Sequence, residues 1–375
     1  MLIGVPKESK NSDDRVSLIP VHALKLTRIG AEVQVETNSG KNAGFSDEAY
    51  IESGAKIIAN REELLKTSDI LLRLGKPPND EIGKLKENSI HISFLDPFNE
   101  TGLVSEFKQN KITAISMEMI PRTTRAQKMD ALSSQANLAG YVMVLLAAEK
   151  LPRILPMMMT PAGTLKPANV FVIGVGVAGL QAIATAKRLG AKVTAFDTRT
   201  VTAEQVKSLG AKFLEIDLGE TGQTKDGYAV ELTPAQLDKQ KQAQKDQIAK
   251  SDIVITTAQV FGRKPPILIT KDMIPEMQKG SVIVDMAAET GGNVEGSVGG
   301  KTVDFEGVTI IGDGNWSNFV ARDASQMYSS NLYNLIEEFW DKEKKEFNLN
   351  LNDEILQGCV ITNQGEIINE RIKNL

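Results

Sequence analysis

The sequence predicts an α/β protein with two domains built on parallel sheets, the second domain inserted into the first. The chain has 375 residues, which suggests two domains because a domain has roughly 150 residues. Short apolar strands alternate with helical segments in both halves, which is typical of βαβ units. A helical tail follows, and we expect it to pack back on the first domain. The predicted boundaries are 1–136 with 321–375 for the first domain and 137–320 for the second.

The first domain opens with a strand, a polar loop and a helix. Leu2–Val5 is apolar and predicts the strand, and the helical pattern at 20–29 stops at Gly30. Short runs rich in β-branched residues predict further strands at 33–35, 70–74, 91–95 and 112–115. The segment 125–151 is poor in glycine, has apolar residues at helical spacing and predicts a long helix that leads into the second domain.

The second domain repeats this alternation. The predicted strands are 170–173, 192–196, 212–216, 253–256, 282–285 and 308–311. The stretch 217–230 is polar and has no periodicity, and a loop of that length inside a compact domain is usually functional or mobile. The tail consists of a predicted helix at 323–340, a charged run at 341–346 that we interpret as a solvated helix face, and a hairpin-like element around 359–362.

Composition excludes several classes of protein. The 43 Lys and Arg against 48 Asp and Glu give a net charge of −5, which disfavours a nucleic-acid partner because such binding depends on neutralising phosphates. The single cysteine, Cys359, excludes an internal disulfide. With only two histidines, His22 and His91, a His-rich metal site is excluded as well. We expect no metal and no nucleic acid.

The distribution of apolar residues favours a soluble, cytoplasmic chain. No run approaches the roughly 18 consecutive apolar residues of a membrane span, and the best one, 141–148, stops at Glu149 and Lys150. Residues 1–10 are charged almost from the start and lack the apolar core of a signal peptide.

A glycine motif in the second domain indicates a dinucleotide site. Gly174, Gly176 and Gly179 form a G-x-G-x-x-G that follows a strand and opens an Ala-rich helix at 180–189, the context of a Rossmann-like fingerprint. We expect the first glycine to permit the tight turn, the second to let the backbone approach a pyrophosphate, and the third to let helix and strand pack closely. The helix N-terminus attracts the phosphates. The alternative is a glycine-rich turn without a ligand.

An acidic residue at the next strand end indicates which dinucleotide. Asp197 lies 23 residues after Gly174, where a carboxylate accepts hydrogen bonds from the adenosine ribose 2′-OH and repels a 2′-phosphate. This favours NAD(H) over NADP(H), although Arg199 is a nearby group that suits a 2′-phosphate. Strand ends around 256–258 and 285–287 also face the crevice, or are ordinary turns. The expected cofactor residues of this domain are Gly174, Gly176, Val177, Gly179, Asp197, Thr198, Arg199, Thr257 and Ala258.

Several longer segments resemble one family of proteins. The segments 122–135, 137–141, 156–163 and 174–191 resemble the NAD(H)-binding component of proton-translocating nicotinamide nucleotide transhydrogenase. The resemblance extends over nearly the whole chain. It implies direct hydride transfer between NADH on this chain and NADP⁺ on a partner subunit. Such a step needs positioned rings and excluded water, with no general acid or base.

The resemblance also assigns roles to particular residues. Arg122, Gln127 and Asp130 are implied to form a loop that holds the nicotinamide and its ribose, and Ser133 is implied to touch the cofactor. Tyr228 resembles the tyrosine of a mobile loop that closes over bound nucleotide. From the residues alone, the alternative for the first loop is a capped helix N-terminus with a surface ion pair.

Alanine dehydrogenase shares this fold and is the competing interpretation. Oxidative deamination needs a titratable pair beside the nicotinamide, and that family carries a lysine and a histidine for it. Here Gly75 occupies the lysine position and Asp96 the histidine position. Arg15, which would hold the keto-acid carboxylate, is retained, and Lys76 is one position away from the catalytic lysine. A non-catalytic NAD-binding regulator is a third possibility.

The resemblance implies an assembly as well. It predicts a homodimer with an NADP(H)-binding partner and a membrane-spanning subunit, which would place this chain peripherally at the inner membrane. The end of the chain at Leu375 suits a form with its membrane helices on another chain, or a truncated chain. Trp316, in the polar segment 312–319, is interpreted as either an interface anchor or a lid over a small apolar patch.

Overall fold

The computed structural model describes residues 1–8, 13–199, 201–216, 233–259 and 262–373. Within these ranges the strands are β1 (Leu2–Val5), β2 (Glu32–Glu36), β3 (Lys56–Ile58), β4 (Ile70–Leu72), β5 (Ile90–Ser93), β6 (Thr113–Ser116), β7 (Met158–Thr160), β8 (Gly163–Leu165), β9 (Asn169–Ile173), β10 (Lys192–Phe196), β11 (Lys212–Phe213), β12 (Ile253–Thr256), β13 (Val282–Asp285), β14 (Thr302–Phe305), β15 (Val308–Ile311), β16 (Trp340–Asp341), β17 (Glu346–Phe347), β18 (Val360–Asn363) and β19 (Glu366–Ile367).

The helices of the described residues lie between these strands. They are α1 (Pro20–Arg28), α2 (Asp47–Glu52), α3 (Arg61–Thr67), α4 (Asn79–Ile82), α5 (Thr101–Gln109), α6 (Ala131–Lys150), α7 (Val177–Arg188), α8 (Thr202–Ser208), α9 (Pro234–Ile248), α10 (Ala321–Glu338), α11 (Glu354–Cys359) and α12 (Glu370–Lys373). Short 3₁₀ turns occur at Met117–Met119, Gln127–Met129, Ile274–Glu276, Ala288–Thr290 and Trp316–Val320.

The described chain divides into two compact units. One consists of Met1–Gln135 with Val320–Leu375, and the other of Ala136–Phe319. The boundaries predicted from the sequence, at 136/137 and 320/321, lie one residue from this division. That the two units are independent folding domains stays a proposal.

The first unit contains a mainly parallel eight-stranded sheet. The strand order is β19-β18-β6-β5-β4-β1-β2-β3, with β1 to β6 parallel and the β18–β19 hairpin antiparallel at one edge. The central strand β4 is buried at every residue, as expected for a parallel strand covered on both faces. The α/β class predicted from the sequence is confirmed.

The second unit contains a seven-stranded sheet in the order β11-β10-β9-β12-β13-β15-β14. All pairs are parallel except β14–β15 at the edge. The chain starts at β9 in the middle, builds outward through β10 and β11, and then crosses to β12 on the other side. This is the doubly wound Rossmann order, in which ligands bind where the order reverses, outside the carboxyl ends of the strands. In this unit the reversal lies between β9 and β12.

Three local expectations were wrong. The charged run 341–346 is not a helix face, because it links the two short paired strands β16 and β17. The aromatic residues at its two ends, Trp340 and Phe347, pair across these strands and are only 7% and 5% exposed. The strand predicted at 212–216 stops at Phe213. The helix after the glycine motif begins at Val177 rather than at residue 180, so that part of the motif is itself helical.

One described helix, Ala131–Lys150, is long and apolar enough by length and composition alone to cross a membrane. It does not contain a run of 18 apolar residues, because Ser133, Ser134 and Gln135 interrupt its first turns. Of its most apolar stretch, 44% is buried. The core helix of a soluble protein passes the same test, so this helix is weak support for a span.

A buried histidine makes the stability of the first unit depend on pH. His22 is 6% exposed, its Nδ1 lies 2.8 Å from Ser329 Oγ, and its ring stacks on Tyr333. Burial, together with the nearby Lys25 ammonium, lowers the pKa of His22 to about 4. The unfolded chain, with an ordinary histidine pKa near 6.5, therefore binds this proton first as the pH falls.

We predict that His22→Gln removes this dependence. As pH falls from 7 to 5, the wild-type free energy of unfolding should drop by about 2 kcal/mol more than that of the variant. Glutamine keeps a hydrogen-bonding group but does not titrate, and all other groups cancel in the difference. Urea unfolding of both proteins at the two pH values measures it. Equal losses in the two proteins would contradict the assignment.

Candidate functional site

At two glycines of the turn between β9 and α7, neighbouring atoms lie too close to leave room for a side chain. Gly174 has φ +98°, a conformation that L side chains rarely adopt. A Cβ on Gly174 would lie 2.6 Å from Thr257 Oγ1, and a Cβ on Gly179 would lie 2.0 Å from the Gly174 carbonyl oxygen. Both positions therefore exclude any side chain, and the helix packs directly on the end of its strand.

Gly176 has the opposite surroundings. A Cβ there would meet no described heavy atom within 4 Å. This residue is the N-cap of α7 and supplies no side chain to the unpaired N–H groups of the first helical turn. The next residue, Val177, is 39% exposed. The end of the helix thus offers open space and unmet donors, to which an anion is attracted.

Asp197, at the carboxyl end of β10, binds both the glycine turn and Arg199. Its Oδ2 accepts from the Val175 N–H at 2.8 Å. Its Oδ1 accepts from the Arg199 backbone N–H and Nε at 2.8 and 2.9 Å, and Arg199 Nη2 reaches Oδ2 at 2.9 Å. Arg199 Nη2 also donates to the Val175 carbonyl. Thr198, between the two charged residues, is half-buried. The guanidinium charge of Arg199 is therefore balanced by Asp197.

The end of β12 supports the same turn. The Thr257 hydroxyl donates to the Gly174 carbonyl at 3.0 Å, so it holds the turn in place. The Ala258 carbonyl accepts from Asn293 Nδ2 at 2.9 Å. These contacts link the carboxyl ends of neighbouring strands at the point where the strand order reverses.

In the first unit, the segment before α6 combines two exposed polar side chains with two buried apolar ones. Arg122 and Gln127 are exposed, whereas Ala126 and Met129 are fully buried. Asp130 is half-buried and accepts from the Ser133 N–H at 2.9 Å and from its hydroxyl at 2.6 Å. Asp130 is thus an N-cap for α6, which is the alternative that the sequence left open for it.

Ion pairs that the sequence analysis missed anchor this segment to α10 and to the residue before α11. Arg125 pairs with Asp353 and Glu338, and Lys128 Nζ lies 2.9 Å from Glu338 Oε2. The Lys128 carbonyl accepts from the side-chain amides of two asparagines of α10. The partners lie more than 200 residues apart in the chain, and no local pattern signals such a pairing.

The structure brings the predicted residues together in two sets, each within its own unit. The second unit assembles Gly174, Gly176, Val177, Gly179, Asp197, Thr198, Arg199, Thr257 and Ala258 around one turn. The first unit assembles Gln127, Asp130 and Ser133, with Arg122 in the preceding segment. Tyr228 and the whole predicted loop 217–230 lie outside the described residues.

Arg15 and Lys76, which lie at or next to positions that alanine dehydrogenases use for substrate binding and catalysis, already form ion pairs within this chain. Arg15 is 8% exposed; its Nε and Nη2 donate to Asp13 at 2.9 and 2.7 Å, and Nη1 donates to Gln135 Oε1. Lys76 Nζ lies 2.6 Å from Glu100 Oε1 and 3.9 Å from Asp96 Oδ2. Arg15 thus holds a carboxylate of its own chain, and Lys76 is a half-exposed ion-pair partner.

Two glutamates, also missed by the sequence analysis, hold the loops at these positions. Glu8 accepts from the N–H groups of Leu74 and Gly75 at 2.7 and 3.2 Å. Glu118 accepts from those of Leu95 and Asp96, and from the Ser116 hydroxyl. Burial raises the pKa of both carboxyl groups, against the opposing effect of these donors. The loops after β4 and β5 are thereby fixed.

Trp316 is almost completely buried. It is 3% exposed, and its Nε1 donates to the Met286 carbonyl at 3.2 Å. The structure therefore contradicts the interface-anchor interpretation, because the ring is already buried in this chain, and the lid interpretation stays a prediction.

Fold and site together define an α/β protein of the nucleotide-binding Rossmann class. The sequence matches the family described as "Alanine dehydrogenase/PNT, N-terminal domain" over residues 4–139 and its C-terminal-domain counterpart over residues 143–370. The chain belongs to the alanine dehydrogenase/PNT family.

The proteins similar to this chain include both transhydrogenase subunits and alanine dehydrogenases. The chain is 43% identical to an NAD(P) transhydrogenase alpha-subunit chain of Rhodospirillum rubrum, covering 98% of each. It is 30% identical to alanine dehydrogenase 1 of Staphylococcus aureus, covering 97% of this chain and 95% of that protein. The solved transhydrogenase structure from Sinorhizobium meliloti superposes with a TM-score of 0.86 at 37% identity, covering 99% of this chain and 100% of that one.

The surroundings of Gly176 and Gly179 predict different stability losses on substitution. Gly179→Ala places a methyl group against a backbone carbonyl and should lower the free energy of unfolding by about 3 kcal/mol or more. Gly176→Ala enters open space and should cost less than about 1 kcal/mol, as for alanine at an N-cap. Urea unfolding followed by circular dichroism measures both. Similar losses for the two variants would disprove the close packing at Gly179.

Proposed function

We propose that this chain is the NAD(H)-binding component of a proton-translocating transhydrogenase. In this role it transfers hydride between NADH and an NADP⁺ bound to a partner subunit. The observation that carries the proposal is a combination of two features. The glycine turn beside Asp197 is open to a ligand, and the positions at which alanine dehydrogenases carry their functional groups hold either a different residue or one that is already ion-paired. The 43% identity with a transhydrogenase subunit over 98% of both chains supports it.

The second unit supplies the groups that would hold NAD(H). The space at Gly176 and the N-terminus of α7 suit the pyrophosphate. Asp197 suits the hydroxyls of the adenosine ribose. Because Arg199 is neutralised by Asp197, a 2′-phosphate meets no unbalanced positive charge from this pair. The contacts therefore favour NAD(H) on this chain.

The bound nicotinamide supplies the hydride, and the chain's own residues orient and shield it. Hydride passing from one nicotinamide to another releases no proton, so no general base is needed in the first unit. Glycine at 75 and an ion-paired Lys76 agree with that requirement. By resemblance, the exposed Arg122 and Gln127 bind the nicotinamide and its ribose, and the Gln127 amide offers both a donor and an acceptor. Asp130 and Ser133 fix the segment that carries them.

We also propose a homodimer, with partner subunits that bind NADP(H) and span the inner membrane. The hairpin β7–β8 supports the dimer: it forms its own two-stranded sheet, and all six of its residues are exposed. Its apolar side chains include Met159, which is 81% exposed. Isolated hairpins are marginal in water, and exposed apolar patches mark interfaces. Coupling to proton movement would then reside in the membrane subunit.

The second candidate is an alanine dehydrogenase, favoured by the retained Arg15 and by the 30% identity with such an enzyme. Against it, Arg15 is already bound to Asp13. One pair of assays separates the candidates. The purified chain is mixed with an NADP(H)-binding transhydrogenase domain and hydride exchange is followed with a nicotinamide analogue. The chain alone is then assayed with alanine and NAD⁺.

The proposal expects hydride exchange in the mixture and no alanine oxidation by the chain alone. Alanine oxidation would overturn it in favour of the second candidate. Failure of both assays with NADH binding retained would favour a non-catalytic NAD-binding regulator.

Asp197→Asn is predicted to change nucleotide preference. The substitution removes the carboxylate that receives the ribose hydroxyls and releases the charge of Arg199. NADH should bind about tenfold more weakly, and NADPH should bind more tightly than to wild type. Calorimetric titration with each nucleotide measures this. Asp197→Asn combined with Arg199→Ala is the control, because it should lose the NADPH gain. An unchanged NADH affinity in Asp197→Asn would show that Asp197 does not contact the ribose.

A further inference from the structure

A carboxylate at the end of β13 is completely buried and is bound by backbone donors. Asp285 has no exposed surface. Its oxygens accept from the N–H groups of Ala287 at 3.0 Å, of Asn293 at 3.0 and 3.1 Å, and of Val294 at 3.1 Å. The segment 286–294 therefore wraps around this carboxylate. Gly292, at φ +75°, allows the wrapping, since a Cβ there would lie 2.8 Å from Asp285 Oδ2.

Asn293 extends this arrangement to two more loops. Its Nδ2 donates to the Ala258 carbonyl at 2.9 Å and to the Pro266 carbonyl at 2.8 Å. The side chain is completely buried, and its Oδ1 accepts no hydrogen bond from the described residues. Asp285 and Asn293 thus connect the chain after β12, the chain at 266 and the chain after β13.

This arrangement is costly as a purely structural device. Burying a carboxylate demands full compensation by donors, and an unmet buried acceptor costs about 1–3 kcal/mol. An apolar contact would hold the same loops at lower cost. Proteins retain buried polar groups of this kind, despite their cost in stability, where function needs a defined geometry.

The location indicates what that geometry serves. In this strand order a dinucleotide lies across the reversal between β9 and β12. Asp197, on the β10 side, is the proposed partner of the adenosine ribose. The carboxyl ends of β12 and β13, on the opposite side, therefore face the nicotinamide half. This step rests on the proposed binding of NAD(H).

We propose that Asp285 and Asn293 are positioning residues for the nicotinamide half of NAD(H). They act through the loops that begin at Thr257 and Met286, setting where the backbone of these loops meets the cofactor. Neither side chain needs to touch the ligand, since both are completely buried.

Trp316 provides a direct signal of the loop position. Its Nε1 donates to the carbonyl of Met286, the residue that follows Asp285. The chain has two tryptophans, so that Trp340→Phe leaves Trp316 as the single indole. Movement of the loop changes this hydrogen bond and with it the emission of Trp316 in the absence of nucleotide.

The test compares Asp285→Asn with a matched buried carboxylate at the opposite edge of the same sheet. Asp252 is 6% exposed, accepts from the Asn169 N–H at 2.7 Å and pairs with Arg153 at the amino end of β12. Both variants lose one buried charge. In the Trp340→Phe background, NADH affinity, Trp316 emission and urea unfolding are measured for each, together with Asn293→Ala.

Asp285→Asn and Asn293→Ala should each weaken NADH binding about tenfold and shift Trp316 emission without nucleotide. Asp252→Asn should leave both readouts unchanged, even where its stability loss is comparable. If Asp285→Asn fails to fold, Asn293→Ala decides, because it exchanges one neutral side chain for another. Unchanged affinity and emission in a folded variant would overturn the inference. Absence of NADH binding by the wild type would instead overturn the proposed function.

Discussion

The carbonyl oxygen of Gly174 lies 2.0 Å from the place where a β-carbon on residue 179 would stand. This contact brings α7 onto the end of β9 and leaves the first turn of the helix directed at the point where the strand order reverses. The Thr257 hydroxyl and the Asp197 carboxylate then hold the same turn from the two neighbouring strands, through the Gly174 carbonyl and the Val175 N–H. The remaining geometry of the second unit depends on this close packing.

Carboxylates have a positioning role in both units. In the first unit, Glu8 and Glu118 hold the loops after β4 and β5 through backbone N–H groups. In the second, Asp285 holds the loop after β13 in the same way. Carboxylates that bind backbone donors are committed to structure, and they are not available to exchange protons with a substrate. Such a distribution agrees with a reaction that needs orientation and little acid–base chemistry.

Local patterns predicted much of this structure. β9 and β12 alternate with helices as expected because their apolar runs are short, β-branched and bounded by turn residues. Patterns failed where an element is too short to show periodicity, as at β3, or where burial overrides charge, as at β16 and β17. Likewise, Asp197 was found because its distance from the glycine motif is characteristic. Glu118 was missed, and Asp285 was noted only as part of a strand end that faces the crevice, because their main partners are backbone groups of residues that carry no chemical signal.

The sequence by itself determined the α/β class, the position of the glycine turn and the family, since these depend on residue types at short, regular spacings. Only the tertiary structure decided what each charged side chain does. It bound Arg15 to Asp13, neutralised Arg199 with Asp197, placed Asp130 at a helix cap and bound the Trp316 indole to the Met286 carbonyl. The physical reason is that the state of a charge depends on burial and on the distance to its partners. These quantities are set by strand order and loop closure, which no local pattern specifies.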